Sequence, residues 1–367
     1  MSAASRRHSA RAAALGVLLL IAREGMAQVN FQPISLHSVG QNSRAHAAHG
    51  SRQVGEIYSS GFSTPATWNS TSQSINIYYL GNFGWDGGRI SGVSADHEVG
   101  SVLSLSGNPG HAALWSGSAE SFRDLHPIQG NYRSSSAGAI SGSQVVGTAY
   151  TSSLKQHAAL WDLETGEFRD LHPSGASYSA LIATDGARQG GVASFNRKVH
   201  ALIWNGAPND YVDITPSGAV DCTIRFMTAD TQVGRAVVDG GFGAALWHNT
   251  AESFVNMAPP NSVDSEIETT LDGLHGGSVY FTGLRRAAIW ISDSPDGFVD
   301  MHAFLPHDYT ESAIEAIGRV GDTFYVSGWA QRSDHVEAML WVGTIPAPGS
   351  LAIALLFGLT ALSRRRR

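Results

Sequence analysis

Apolar and polar positions along this chain fall into short stretches that turns separate, and residues 134–173 show the unit of the pattern. Ser135 to Ile140 reads as a strand of small residues, narrow enough for a crowded central position. A Ser-Gly turn leads into a second strand, opened by Gln144-Val145-Val146-Gly147, and His157 to Trp161 forms a third. Phe168-Arg169-Asp170-Leu171 is the fourth, reached through the turn Glu164-Thr165-Gly166. Alternation within each strand is modest, which predicts sheets packed on both faces rather than one-sided sheets.

The same unit recurs. Ala-Ala-Leu-Trp ends at Trp115, Trp161 and Trp247, and close variants end at Trp68, Trp204, Trp290 and Trp341. Successive tryptophans stand 47, 46, 43, 43, 43 and 51 residues apart. Seven units of about 40 to 50 residues predict an all-β, seven-bladed β-propeller over residues 28–343. The last unit stops at Trp341 without a fourth strand. Phe31-Gln32-Pro33-Ile34, alignable with Phe122-Arg123-Asp124-Leu125, supplies one from the other end. The last blade is therefore expected to be closed by an N-terminal strand, which removes open sheet edges. An open solenoid, the rival architecture, has no use for matching half-units at its two ends.

With Gln144 to Gly147, His157-Ala158-Ala159-Leu160-Trp161 and Asp170-Leu171-His172 set in order, the units resemble the HAF family of extracellular repeats. The resemblance covers most of residues 30–343. It departs where Ala159 stands for an aromatic residue and His172 for a glycine. It implies an exported repeat protein and brings no catalytic residues.

The two ends point the same way. Residues 1–27 carry Arg6, Arg7 and Arg11, an apolar run from Ala12 to Ala22, and Gly25-Met26-Ala27, the three parts of a secretory signal peptide. A bilayer span needs about 20 apolar residues, more than this run supplies. Residues 344–367 hold Pro346-Ala347-Pro348, the apolar run Leu351 to Leu362, and Arg364 to Arg367. This order resembles a PEP-CTERM sorting tail, with Ala347 where the family name has Glu. The resemblance implies an exosortase-like processing enzyme as partner, and membrane contact only through the C-terminal segment before processing. Arginines that abut a span stay cytoplasmic, so the body is expected outside, at the cell envelope, cell surface or extracellular matrix.

Charge and cysteine narrow the partners. The whole chain carries 24 basic and 31 acidic residues. Four Arg and one Glu of the leader and four Arg of the tail set aside, the body has 16 basic and 30 acidic residues, a net charge of −14. Such a surface repels phosphate backbones, and nucleic acid is not an expected partner. Cys222 is the only cysteine, so no disulfide forms within the chain. It lies in the apolar run Asp221-Cys222-Thr223-Ile224 and reads as a small buried hydrophobe.

Candidate chemistry is sparse. His111, His157 and His200 precede the third strand, and His126, His172 and His302 follow the fourth. Antiparallel order places both sets on one face. They read there as a structural hydrogen-bonding element with Asp124, Asp170 and Asp213, or as a rim for a metal or an anionic glycan. The repeated tryptophans read as inter-unit packing, whereas Trp85 and Trp329 fall outside that register and are candidates for stacking on a sugar ring. No nucleophile elbow, zinc helix, phosphate loop or dinucleotide fingerprint occurs, and no cofactor is expected. The resulting expectation is a non-catalytic surface or matrix protein that binds polysaccharide or an envelope protein. A glycan-cleaving hydrolase or lyase on the same scaffold is the alternative.

Overall fold

The computed structural model describes residues 29–345 except 39–41, 60 and 106–108. The leader, Pro346-Ala347-Pro348, the apolar run and the terminal arginines lie outside the described residues. Among those described, no helix is long and apolar enough to cross a membrane. The fold is all-β, built of strands β1 to β28 in chain order with short 3-10 turns.

The strands form six sheets, five of four strands and one of eight. The eight-stranded sheet is two four-stranded meanders joined by a single parallel bridge between Val199 and Asp221. Every meander coincides with one sequence repeat. In unit 3, β10 (Tyr132–Ser141), β11 (Gln144–Thr151), β12 (Gln156–Asp162) and β13 (Phe168–Asp170) follow the four predicted strands within a few residues. The remaining inner strands are β2 (Asn42–His49), β6 (Gly87–Val93), β14 (Tyr178–Thr184), β18 (Asp221–Met227), β22 (Asp264–Leu271) and β26 (Glu311–Val320).

Unit 7 takes its fourth strand from the N-terminus: β1 (Asn30–Ser35) pairs antiparallel with β28 (Val336–Thr344), from Asn30–Thr344 to Ser35–Met339. The expected alignment is corrected by two residues. Ser35 stands where Asp124 stands in unit 2, and Leu36 repeats Leu125: the Leu36 N–H donates to Ala338 O as the Leu125 N–H donates to Ala112 O. A slip of two keeps side chains on the same faces. Leu36, fully buried, fixes the true register.

The repeated tryptophans are almost completely buried and lie in the clusters that join neighbouring units. Trp161 Nε1 donates to Leu125 O at 2.7 Å, and Trp290 Nε1 to Met257 O at 2.9 Å, each reaching into the preceding unit. Truncating a buried tryptophan of this kind to alanine costs about 3–5 kcal/mol.

A second buried signature explains the Gln-Val-Gly motif. Gln53, Gln189 and Gln232 lie wholly inside at the start of their strands. Their Oε1 atoms accept the N–H of Ser70, Gly206 and Asn249, each two residues beyond the unit's tryptophan. Those three residues have φ of 62°, 80° and 64°, a turn conformation that aims the amide inward. Glu98 plays the same part, accepting the Gly117 N–H at 2.8 Å.

Candidate functional site: the inner channel and the histidine network

All seven inner strands contain a β-bulge at one common place. The pairing with the second strand skips His46, Ser91, Gly138, Ile182, Arg225, Glu268 and Glu315 in turn. Bulges bend a strand and re-aim its side chains. Across from each stands the glycine of the second strand, Gly55, Gly100, Gly147, Gly191, Gly234, Gly277 or Gly328. A Cβ there would lie only 1.9–2.0 Å from the carbonyl oxygen of the residue two before the bulged one, as with Gly147 and Ser136 O. The motif glycine is thus required by close backbone approach at the bulge.

The bulged residues line a cavity, called the channel below, of about 1940 Å³ bordered by the inner strands of every unit. The seven bulge positions are not alike, although Arg89, Asp96 and Asp185 also line the cavity in units 2 and 4. Units 2, 3 and 4 present Ser91, Gly138 and Ile182, whereas units 5, 6, 7 and 1 present Arg225, Glu268, Glu315 and His46. Arg225 Nε lies 2.5 Å from Glu266 Oε1 and 3.8 Å from Glu268 Oε2. Desolvation first, and then the neighbouring Glu266, push the Glu268 carboxyl well above its ordinary range against the pull of Arg225. His46 Nε2 contacts Glu56 Oε1 at 3.3 Å. Burial would raise the Glu56 carboxyl, but hydrogen bonds and the charge of His46 outweigh it and hold the group at about 2. These channel groups were not singled out from the sequence. Aligning the inner strands column by column would have placed Arg225, Glu268 and Glu315 together.

Four of the six repeated histidines meet in stacked pairs within units 2 and 3, each pair part of a network that ties three strands. In unit 2, His111 Nδ1 contacts Asp124 Oδ2 at 2.7 Å, and Asp124 Oδ1 accepts the His126 N–H. The His111 and His126 rings stack with centroids 4.0 Å apart. Ser135, on the next unit's inner strand, accepts the Ala112 N–H and lies 2.9 Å from His126 Nδ1. Unit 3 repeats this with His157, Asp170, His172 and Ser179, the rings 3.9 Å apart. There His172 Nε2 also lies 3.2 Å from Ala176 O, which assigns the proton to Nε2 and makes Nδ1 the acceptor of the Ser179 hydroxyl. Burial first, and the stacked partner second, lower the His126 and His172 rings, favouring the neutral form this bonding needs. Ser135 and Ser179 are buried and use their hydroxyls in these contacts, so the serine-histidine pairs join adjacent units.

The other units vary the theme. In unit 4, His200 pairs with Asp213 at 2.7 Å, Thr215 accepts the Ala201 N–H, and Cys222 takes the slot of the serine. Burial first pushes the Cys222 thiol up to about 12. Unit 6 sets Arg286 on Asp300, with His302 Nδ1 2.8 Å from Ser312 Oγ. Unit 7 exchanges the roles: Glu337 on the third strand accepts the Ser35 hydroxyl at 2.7 Å, and His37 Nδ1 lies 2.9 Å from Ser43 Oγ.

Trp329 is not the exposed stacking platform expected. It is buried, with Nε1 3.1 Å from Glu315 Oε1 and the Arg44 guanidinium 4.7 Å from its ring centre. It directly follows Gly328 on β27 (Thr323–Gln331), and this places its ring between units rather than in solvent. Trp85 is half-buried, its ring 4.9 Å from that of His111. Among the described residues no group of three or more His, Cys, Asp or Glu is arranged to hold a metal ion.

No family model matches the chain, and no curated protein matches it. Solved structures do. A puromycin hydrolase superposes with a TM-score of 0.58 at 11% identity, over 88% of this chain and 58% of its own. A puromycin-hydrolyzing peptidase of Mycobacterium tuberculosis gives 0.52 at 14% identity, over 86% and 55%. The BP39L lectin of Burkholderia pseudomallei gives 0.51 at 14% identity, over 84% and 99%. The class these likenesses define is a β-propeller-like all-β protein, and at such identities they show the fold alone. The chain spans a little over half the length of the hydrolases it matches. They nevertheless correct the expectation of a non-catalytic polysaccharide- or envelope-binding protein. That expectation rested on the sorting tail, the repeats and the lack of catalytic signatures, and a similar fold occurs in a hydrolase, a prolyl endopeptidase and an acylaminoacyl peptidase.

Proposed function

We propose that the four-stranded units close into a seven-bladed β-propeller, and that this ring is the peptide-admitting part of a peptidase-type scaffold. The β1–β28 pairing supports closure, as does the packing of β2 against β26, β27 and β28, which brings unit 1 onto unit 7. The observation that carries the functional reading is the channel of about 1940 Å³ bordered by the inner strand of every unit. A passage walled by strands admits an extended chain and excludes a folded one. At the bulges Arg225, Glu268, Glu315 and His46 stand in neighbouring units, and Arg89 and Asp185 also line the cavity, so a peptide inside meets charged groups at fixed places. The hydrolase and peptidase likenesses support the scaffold by fold.

The leader and tail support export and sorting to the cell envelope by an exosortase-like enzyme as part of the same proposal. An intact mass ending at Arg367 in protein from the producing cell would overturn that part. For the channel, residues 28–345 are incubated with short fluorogenic peptides, and retention and cleavage are both read. Retention or cleavage that Gly138→Trp abolishes, with the fold intact, supports the reading. Neither signal, or signals that Gly138→Trp leaves unchanged, sinks it.

A further inference from the structure

The repeats serve as comparisons for one another, and unit 5 is informative because it keeps the hydrogen bonds of the network without its rings. Where units 2 and 3 place two stacked imidazoles, unit 5 has Gly243 and Ala258. Asn256 stands in the aspartate's position, since the pairing of Ala245 with Asn256 repeats that of Ala113 with Asp124. The rest of the network persists. Asn256 Oδ1 accepts the Ala258 N–H at 3.0 Å, as Asp124 does for His126. Ser265 still accepts the Ala244 N–H at 2.9 Å, in the place of Ser135. Only the two rings are gone.

Their absence leaves a pocket of about 200 Å³, lined by Phe242, Gly243, Asn256, Ala258, Pro259 and Val263 among others. Ligand pockets usually exceed about 300 Å³, so this one suits a single small ring. The ring of Phe242 is nearly half exposed, and the Arg235 guanidinium lies 4.3 Å from its centre. Asn256 Oδ1 would lie 2.9 Å from a Cβ on Gly243, so this oxygen borders the space a histidine side chain would enter. Phe242 supplies a flat apolar wall and Asn256 an acceptor beside it.

We infer that this pocket binds a planar N–H-bearing ring of imidazole size, such as a histidine side chain offered by a partner polypeptide. It takes the place that the chain's own histidines fill in units 2 and 3. The aspartate of those units is replaced by a neutral amide, so the pocket does not require a charged ring. It lies at the unit 5 hairpin, outside the channel lining, and does not depend on the channel reading.

The test uses imidazole itself as the probe, titrated into the intact protein and followed by chemical shifts of residues 236–263. Wild type is expected to saturate in the millimolar range, with the changes confined to the pocket. Gly243→His together with Ala258→His restores the residues of units 2 and 3 and is expected to weaken binding at least tenfold. Phe242→Ala, which leaves the network alone, is expected to weaken it severalfold and serves if the double variant fails to fold. Non-saturating shifts in wild type, or binding by the folded double variant or by Phe242→Ala as tight as that of wild type, would overturn the inference.

Discussion

Glu337 holds the junction between the two ends of the chain, and its removal gives the most quantitative prediction. Its carboxylate accepts hydroxyls from Tyr309 at 2.6 Å and Ser35 at 2.7 Å, and contacts Arg332 Nε at 2.6 Å and His335 Nε2 at 2.9 Å. Burial alone would raise this group. The hydrogen bonds, that of Tyr309 first, outweigh it and bring the carboxyl from 4.5 down to about 2. At about 1.4 kcal/mol per pKa unit, this preference for the charged form corresponds to about 3 kcal/mol. The side chain is only 7% exposed, so solvent screening takes little of it. Glu337→Gln retains one acceptor oxygen but loses the charge facing Arg332 and His335. At pH 6, amide exchange across residues 30–35, divided by the rate of unstructured peptide, should speed up by about a hundredfold. Because the folded value is depressed, the stabilisation is present above pH 4.5 and is lost as pH falls through about 2. His335 is raised by Asp334 first and also by Glu337, so its share is full below 6.5 and is lost as pH rises through its folded value. The difference between wild type and variant should therefore be greatest between about pH 4.5 and 6.5. A difference that is absent at pH 6, or equally large at pH 2, would refute the reasoning.

Other perturbations separate backbone demands from side-chain ones. Gly147→Ala sets a Cβ 2.0 Å from Ser136 O and should cost several kcal/mol in urea unfolding, whereas Gly138→Ala, whose nearest neighbour is 3.7 Å away, should cost under about 1 kcal/mol. Equal costs would discredit the close-approach account of the motif glycine. Gln232→Ala leaves the Asn249 N–H without its acceptor and should destabilise by about 1–3 kcal/mol, measured by the same titration. Cys222, buried and with its thiol pushed up to about 12, should resist a thiol reagent at pH 8 until urea unfolds the chain; prompt labelling of the folded protein would contradict its placement.

The repeat was legible because it is written in residues with one structural use each. A tryptophan at the end of the third strand fills the space between units, and a glycine in the second admits the bulge. The closing strand was legible too, but its register was read two residues early. Phe31 mimics Phe122 by type, whereas the structural match is decided by Leu36, and burial is not written in the sequence. The six histidines were found by their recurrence, while the contacts of His126, His172 and His302 with serines of the next unit needed the fold. Arg225, Glu268 and Glu315 stayed hidden because a bulge arises from pairing and leaves no residue type of its own. Trp329 misled for a related reason: its position holds smaller side chains such as Ser101, Thr148 and Ser278 in other units, so its size looked like exposure. The pocket of unit 5 is a gap, visible only against the repeats that fill it.

The register of β1 against β28 has a mechanical consequence. Asn30 faces Thr344, so the two strands leave their shared ladder from the same end. Tension applied between segments continuing from those residues would load the hydrogen bonds one after another, as a zip is opened, rather than all together as in shear. Glu337 and Ser35 sit at the far end of that ladder, where peeling arrives last. Under a stretching load the junction should yield at low force, strand by strand, while the meanders between remain folded.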